Sequence, residues 1–191
     1  MAFGRKGAST TRFSLLLLEE GEYYFEDFSG WYYPEHLDDN QAWQWRRKGR
    51  VKLCSASVIF EPDDVAEAIM RLPFSAILQF GRWNGGLHSS LAGKADIFSV
   101  VTTSTCLMKA HNQNHPYQFL ARRAEHRFSL NFEPLVSFLP RVQELHHVFT
   151  EHSRNPPLRE AHLSRVIEAR ERRIPFDPSW LVNLSESLVQ E

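Results

Sequence analysis

The pattern of apolar and polar positions divides the chain into a β-rich first part and a helical last part. Residues 1–11 show no periodicity and carry two basic residues, which predicts a mobile basic arm. Apolar and aromatic residues become dense from Arg12 to Phe28, and the turn residue Gly21 favours two extended pieces there. Residues 29–48 have no sustained period and contain Pro34, which predicts a loop.

The clearest strand pair follows this predicted loop. Val51 and Leu53 alternate with polar residues, and Ser55-Ala56-Ser57 separates them from the apolar run Val58-Ile59-Phe60. This arrangement predicts a β-hairpin. Further short strands are predicted at 69–72, 77–80, 97–107, 117–121 and 127–132, between residues that are typical of turns.

The last part of the chain has helical spacing. One apolar stripe recurs at intervals of 3, 3, 3 and 1 residues and is formed by Leu139, Val142, Leu145, Val148 and Phe149. It predicts an amphipathic helix that begins near Pro140, since proline is tolerated in a first turn. A second, charge-rich helix is predicted from Leu158 to Arg173, and Asp177-Pro178 indicates the start of a third helical stretch.

Together these elements predict a mainly β domain with some helix. The expected architecture is an antiparallel β-barrel or sandwich of about seven strands, capped by the amphipathic helix and followed by a helical tail. We expect the domain to span residues 12–153 and the helical connector to span residues 154–191.

Composition agrees with a globular domain and excludes other classes. The 191 residues are 42% apolar and 24% charged, too rich in Phe, Trp and Leu for a disordered chain. The longest aliphatic run, Leu15–Leu18, is too short to span a membrane. Cys54 and Cys106 lie in apolar stretches, which favours buried, reduced thiols over a disulfide or a reactive thiol and indicates a cytosolic chain.

The formal net charge of -1 conceals two opposite segments. Residues 19–39 contain eight acidic residues and neither Lys nor Arg, whereas residues 46–52 contain five basic residues and no acid. Near-neutrality therefore excludes a wholly basic surface but leaves room for a local anion site.

Several stretches resemble the N-terminal region of FAN-like BEACH-domain proteins, FAN being the factor associated with neutral sphingomyelinase activation. The resemblance is carried by Arg12-Phe13-Ser14-Leu15-Leu16-Leu17-Leu18, Glu22-Tyr23-Tyr24-Phe25-Glu26, Gly49-Arg50-Val51-Lys52-Leu53-Cys54-Ser55-Ala56-Ser57-Val58-Ile59-Phe60-Glu61-Pro62-Asp63, Leu72-Pro73-Phe74 and Asn183-Leu184-Ser185-Glu186. It implies a pleckstrin-homology or GRAM-like fold and a modular parent protein, in which residues 154–191 would lead toward a following module.

The same resemblance implies that basic residues near the first strands bind phosphoinositide headgroups. Arg offers forked donors to phosphate oxygens, and Lys offers a mobile point charge. The candidates are Arg46, Arg47, Lys48, Arg50 and Lys52, with Arg82 and Lys94 beside another loop. The alternative is structural, namely that the basic run pairs with the preceding acidic segment.

An aromatic cluster next to the basic run is a second candidate surface, formed by Trp31, Tyr32, Tyr33, Trp43 and Trp45. These rings could pack on the core or contact a protein partner. Contacts with a membrane or a nucleic acid are less favoured because Glu35, Asp38 and Asp39 would repel phosphate.

Other chemistry has no signature in the sequence. His146, His147 and His152 lack metal-ligand spacing, and neither a Gly-rich phosphate loop nor a nucleophile elbow is present. We therefore expect a non-enzymatic module without cofactor, metal or nucleic-acid partner. It would be cytoplasmic and peripheral to membranes, as a membrane-targeting or scaffolding module; alternatively, it would dock on the parent's next domain or on a receptor tail.

Overall fold

A computed structural model describes residues 18–85, 95–108, 117–151 and 156–173. Contacts between Cα atoms divide the chain after Glu151, so that the last described helix lies in a second unit. The predicted basic arm, the extended piece before Leu18 and the helix signal at Asp177 lie outside the described residues.

The first unit is built on one antiparallel sheet, in which nine strands are described. In chain order they are β1 Tyr24–Tyr33, β2 Arg47–Cys54, β3 Ser57–Pro62, β4 Ile69–Pro73, β5 Ile77–Arg82, β6 Ile97–Thr102, β7 Thr105–Met108, β8 Tyr117–Leu120 and β9 Ala124–Leu130. Neighbouring strands follow the order β5-β6-β9-β1-β2-β3-β4-β7-β8. The helices are α1 Asp39–Gln44, α2 Leu135–Glu151 and α3 Pro156–Arg173, and a short 3-10 turn spans Phe74–Ala76.

The predicted mainly β architecture with a helix after the last strand is confirmed. The hairpin is present as β2 and β3, which pair in antiparallel register with Val51 opposite Phe60. The stretch 97–107 forms two strands rather than one because the chain turns at Thr103-Ser104. The described sheet therefore has nine strands rather than about seven.

The predicted loop at 29–48 is wrong over most of its length. Strand β1 continues to Tyr33, and Arg47 and Lys48 already belong to β2. Between them, the carboxylate of Asp38 caps α1 by accepting from the backbone N–H groups of Asn40 and Gln41. The alternation of buried and exposed residues is lost at the end of β1, because α1 covers one face of the sheet there. Consecutive residues of β1 are therefore buried on both faces.

Aromatic rings fill the space between the sheet and α2. Phe98 packs on Phe128 and on Phe138 of α2, with ring centroids 5.3 and 5.0 Å apart, and Tyr32 and Phe60 extend the cluster. The buried stripe of α2 consists of Leu135, Phe138, Val142, Leu145 and Val148. The helix therefore begins five residues before the predicted start at Pro140, because its buried face already includes Leu135 and Phe138.

Both cysteines are buried free thiols, as predicted. They belong to a second apolar cluster with Ile59, Ile69 and Met108. Burial raises the pKa of Cys54 to about 12, so its thiol stays protonated at neutral pH. None of the described helices combines the length and apolar character needed to cross a bilayer.

Candidate functional site

A surface pocket of about 780 Å³ lies beside the first residues of β2. One wall comes from both ends of the β1–β2 connection and the start of β2, and the other from the end of β3 and the connection between β3 and β4. The first wall carries three cations and the second three acids, which are Arg46, Arg47, Lys48, Asp63, Asp64 and Glu67. The pocket therefore brings together part of the predicted basic run and a set of acids from a distant segment.

Arg47 and Lys48 each face one acid across the pocket. A guanidinium nitrogen of Arg47 lies 2.5 Å from a carboxylate oxygen of Glu67, and Nζ of Lys48 lies 3.4 Å from a carboxylate oxygen of Asp63. The two basic side chains are 45% and 56% exposed. The Lys48–Asp63 pair is a surface ion pair, which contributes about 0–1 kcal/mol to stability. The Arg47–Glu67 pair is partly buried, since Glu67 is 27% exposed.

Arg46 is held differently, by aromatic rings. Its guanidinium carbon lies 4.2 Å from the ring centroid of Trp43 and 4.6 Å from that of Trp31. It also donates a hydrogen bond to the backbone oxygen of Trp43. Cation–π contacts of this kind are attractive, and they place the guanidinium of Arg46 beside Trp31 and Trp43 at the pocket wall.

Arg50 and Lys52 lie further along β2, outside the pocket. Alternation along the strand puts them on one sheet face, with Val51 and Leu53 buried on the other, as predicted. Lys52 is only 2% exposed, and its Nζ lies 3.3 Å from Asp27 on β1 and 3.2 Å from Glu61 on β3.

Asp27 on β1 contacts both Arg50 and Lys52. Its carboxylate accepts a hydrogen bond from Nε of Arg50 as well as one from Lys52. The hydrogen bond from Arg50, followed by the charge of Lys52, lowers the pKa of Asp27 to about 2, although burial opposes this shift. The acidic segment thus pairs with Arg50 and Lys52, in agreement with the structural alternative for these two residues.

The remaining predicted cations lie elsewhere. Arg82 is on β5, where its guanidinium lies 2.7 Å from the carboxylate of Asp96. It does not line the pocket. Lys94 lies outside the described residues.

The five aromatic candidates divide by burial. Tyr32 belongs to the inner ring cluster, and Tyr33 is buried on the opposite face, where its ring stacks on Trp43. Trp31 and Trp43 are half-buried around Arg46. Trp45, which follows α1 and lines the pocket, is 65% exposed.

Sequence reasoning missed the acidic wall of the pocket. Asp63, Asp64 and Glu67 follow the predicted hairpin, and the sequence pattern assigns no role to them. The available signal was proximity through the hairpin, since Gly49 on β2 pairs with Pro62 on β3 and thereby brings Asp63 next to Lys48. Within the described ranges, no three His, Cys, Asp or Glu side chains converge in a way that could hold a metal ion.

Two comparisons show which known proteins the chain is similar to. A family model described as the FAN protein N-terminal PH domain matches residues 1–155. Among solved structures, the chain is similar to a Vps36 N-terminal PH domain, with a TM-score of 0.43 and 14% identity. That alignment covers 71% of this chain and 86% of the other.

Proposed function

Because the chain belongs to the family of FAN N-terminal PH domains, which are modules for membrane or protein interaction, we propose that it binds anionic phosphoinositide headgroups. In this proposal it is a non-enzymatic, peripheral module on the cytoplasmic side of membranes, and it helps to place a larger parent protein there. The helical segment after residue 153 serves as the connector to the parent's next module.

The observation that carries the proposal is the pair of exposed cations on one pocket wall. Arg47 and Lys48 are consecutive residues at the start of β2, and both line the pocket. Arg can donate two parallel hydrogen bonds to a phosphate, and Lys adds a mobile charge. Successive strand residues point to opposite sides, so the proposal places the headgroup at the start of the strand, where both side chains line the pocket.

The exchange proposed here is easiest at Lys48. Its exposed pair with Asp63 is worth about 0–1 kcal/mol, whereas each basic residue near an anionic leaflet gains about 1 kcal/mol. Trp45 also lines the pocket and is mostly exposed. Trp side chains are enriched in membrane proteins at the level of the lipid headgroups. The pocket thus combines phosphate donors with an interfacial ring.

The test is co-sedimentation with phosphatidylcholine vesicles, with and without a phosphatidylinositol bisphosphate. We expect the double variant Arg47→Glu/Lys48→Glu to lose at least tenfold in affinity for the bisphosphate vesicles. Arg82→Glu is the control, because it reverses an exposed, acid-paired cation outside the pocket with half the charge change of the double variant. Equal binding to both kinds of vesicle, or a loss of binding free energy in Arg82→Glu that is half or more of the loss in the double variant, would contradict a headgroup site at the pocket.

A second candidate function is docking on the parent's next domain or on a receptor tail. It is favoured by the mixed charge of the pocket and by the exposed ring of Trp45, because interfaces combine aromatic anchors with polar rims. The measurement is the affinity of the chain for the rest of its parent protein. If Trp45→Ala leaves a detected affinity unchanged, this surface is not the docking site.

A further inference from the structure

The outer edge of strand β8 is a second candidate interaction surface. β8 lies at one end of the strand order, and none of the residues Tyr117–Leu120 lines the pocket. We propose that this edge binds an extended segment of a partner protein, which runs antiparallel to β8 and carries acidic residues before a short apolar run. The proposal does not depend on headgroup binding at the pocket.

β8 offers backbone groups for a further strand. Among the described residues it pairs only with β7, so alternate N–H and C=O groups of β8 point away from the sheet. The strand has the sequence Tyr-Gln-Phe-Leu and contains neither a charged residue nor a proline, two devices by which natural edge strands avoid pairing. An extended segment can therefore continue the ladder by β-strand addition.

Phe119 supplies an aromatic anchor at this edge. It is 73% exposed and lies opposite Cys106 of β7, so both side chains project from the same face of the sheet. On that face, Cys106 and Met108 belong to a buried apolar cluster. An added strand with an apolar side chain on this face would cover the ring of Phe119 and continue the cluster, and buried aromatic rings are typical anchors of interfaces.

Two arginines directly after β8 determine the charge of the partner. Arg122 and Arg123 are both exposed, and Arg122 contacts Glu35 at 3.8 Å, which is longer than a charge-assisted hydrogen bond of about 2.8 Å. Arg123 forms no ion pair with any other described residue. Carboxylates of a partner therefore meet two weakly engaged guanidinium groups at this end of the strand.

The polarity of the partner segment follows from the position of these arginines. They come after the last residue of β8, and every described strand pair is antiparallel. An antiparallel segment places its N-terminal residues beside the end of β8. Its acids must therefore precede its apolar residues.

A peptide strand satisfies this surface more fully than a membrane or a second copy does. A lipid surface could contact Phe119 and the arginines, but it would leave the outward N–H and C=O groups of β8 without protein partners. A second copy paired through its own β8 would bring no counter-charge to Arg122 and Arg123, because residues 109–123 contain no acid and include Lys109.

The probe is a fluorescein-labelled peptide in which two glutamates precede alternating valine and threonine residues, and the readout is its fluorescence anisotropy with the full chain. We expect saturable binding of this peptide and no binding of the same peptide with lysines in place of the glutamates. Methylation of the backbone nitrogens of either the valines or the threonines removes alternate donors, so at least one of the two methylated peptides should lose binding. If neither does, the backbone pairing is wrong and the proposal falls.

Two variants with matched controls locate the site on the chain. Phe119→Thr should weaken binding about tenfold, whereas Phe132→Thr, which removes another exposed phenylalanine, should leave it unchanged. Arg122→Glu should weaken binding about fivefold, whereas Arg82→Glu reverses a cation of similar exposure on β5 and should not. Equal losses in a variant and its control would overturn the assignment to β8. Urea unfolding verifies the fold of each variant; if Phe119→Thr does not fold, the methylated peptides and the arginine variants still decide.

Three other results would overturn the proposal. The first is the absence of saturable binding by the glutamate peptide. The second is binding of phosphatidylserine vesicles that Phe119→Thr abolishes, without binding of the peptide, which would identify the edge as a lipid-contacting surface. The third is a concentration-dependent dimer that Phe119→Thr dissociates, which would identify a second copy as the occupant.

Discussion

The two halves of the basic run on β2 have similar charge and different surroundings. At the start of the strand, Lys48 is 56% exposed and its partner Asp63 lies on the rim of an open pocket. Four residues later, Lys52 is 2% exposed between Asp27 and Glu61. The first lysine has the exposed surroundings that the proposed exchange with a ligand requires, whereas the second is buried in the fold.

The difference comes from where the counter-charges lie. Lys52 sits in the middle of the sheet, where β1 and β3 each supply an acid from a fixed strand position. Lys48 lies near the edge of the same pairing, where its acid follows the end of β3. The position of the counter-acids therefore decides which lysine of the basic run is exposed and which is buried.

The largest effect is expected for Lys52→Ala, which leaves the carboxylates of Asp27 and Glu61 without their shared buried cation. Breaking a buried pair from one side costs about 3–5 kcal/mol, so the urea midpoint should fall strongly. Lys48→Ala is the matched control on the same strand and should stay within about 0.5 kcal/mol of the wild type. Equal losses of stability in Lys52→Ala and Lys48→Ala would show that the two halves of the basic run do not differ.

The second effect is a loss of stability in acid, carried by Asp27. Its pKa is lowered from 3.8 to about 2 in the folded chain, so the stabilisation is fully present above about pH 4 and disappears as the pH falls toward 2. We expect ionised Asp27 to contribute about 1–2 kcal/mol to the free energy of unfolding, after allowance for solvent screening. Asp27→Asn should remove this portion of the pH dependence in urea unfolding between pH 5 and 2. An unchanged slope would contradict the role of Asp27.

The smallest expected effect is a difference in stability between variants of two arginines that are almost equally exposed. Arg50 and Arg47 are 44% and 45% exposed, but Arg50 shares Asp27 with a buried lysine, whereas Arg47 pairs with Glu67. Arg50→Ala should cost about 1 kcal/mol and Arg47→Ala no more than about 0.5 kcal/mol. The measurement is urea unfolding of both variants. A larger loss of unfolding free energy in Arg47→Ala than in Arg50→Ala would contradict this difference between the two arginines.

The hairpin and the face shared by Arg50 and Lys52 could be predicted, because both follow from local alternation and a short turn. The strand at 29–33 was missed because Tyr32 and Tyr33 are both buried, one in the core and one under α1, which removes the period of two. The burial of Lys52 was not predictable from its own segment, since it depends on the pairing with Asp27, 25 residues earlier. Likewise, the acid partners of the pocket belong to a connection whose position depends on the register of β2 and β3.

The most direct test of the central claim is to map the amide chemical shifts of the full chain during titration with the water-soluble headgroup of a phosphatidylinositol bisphosphate. Exchangeable ion pairs at the pocket predict shifts at Trp45 to Lys48 and at Asp63 to Glu67, with little change at Arg50 to Cys54. Shifts centred on Arg50 and Lys52, or no shifts in either half of the basic run, would contradict the account.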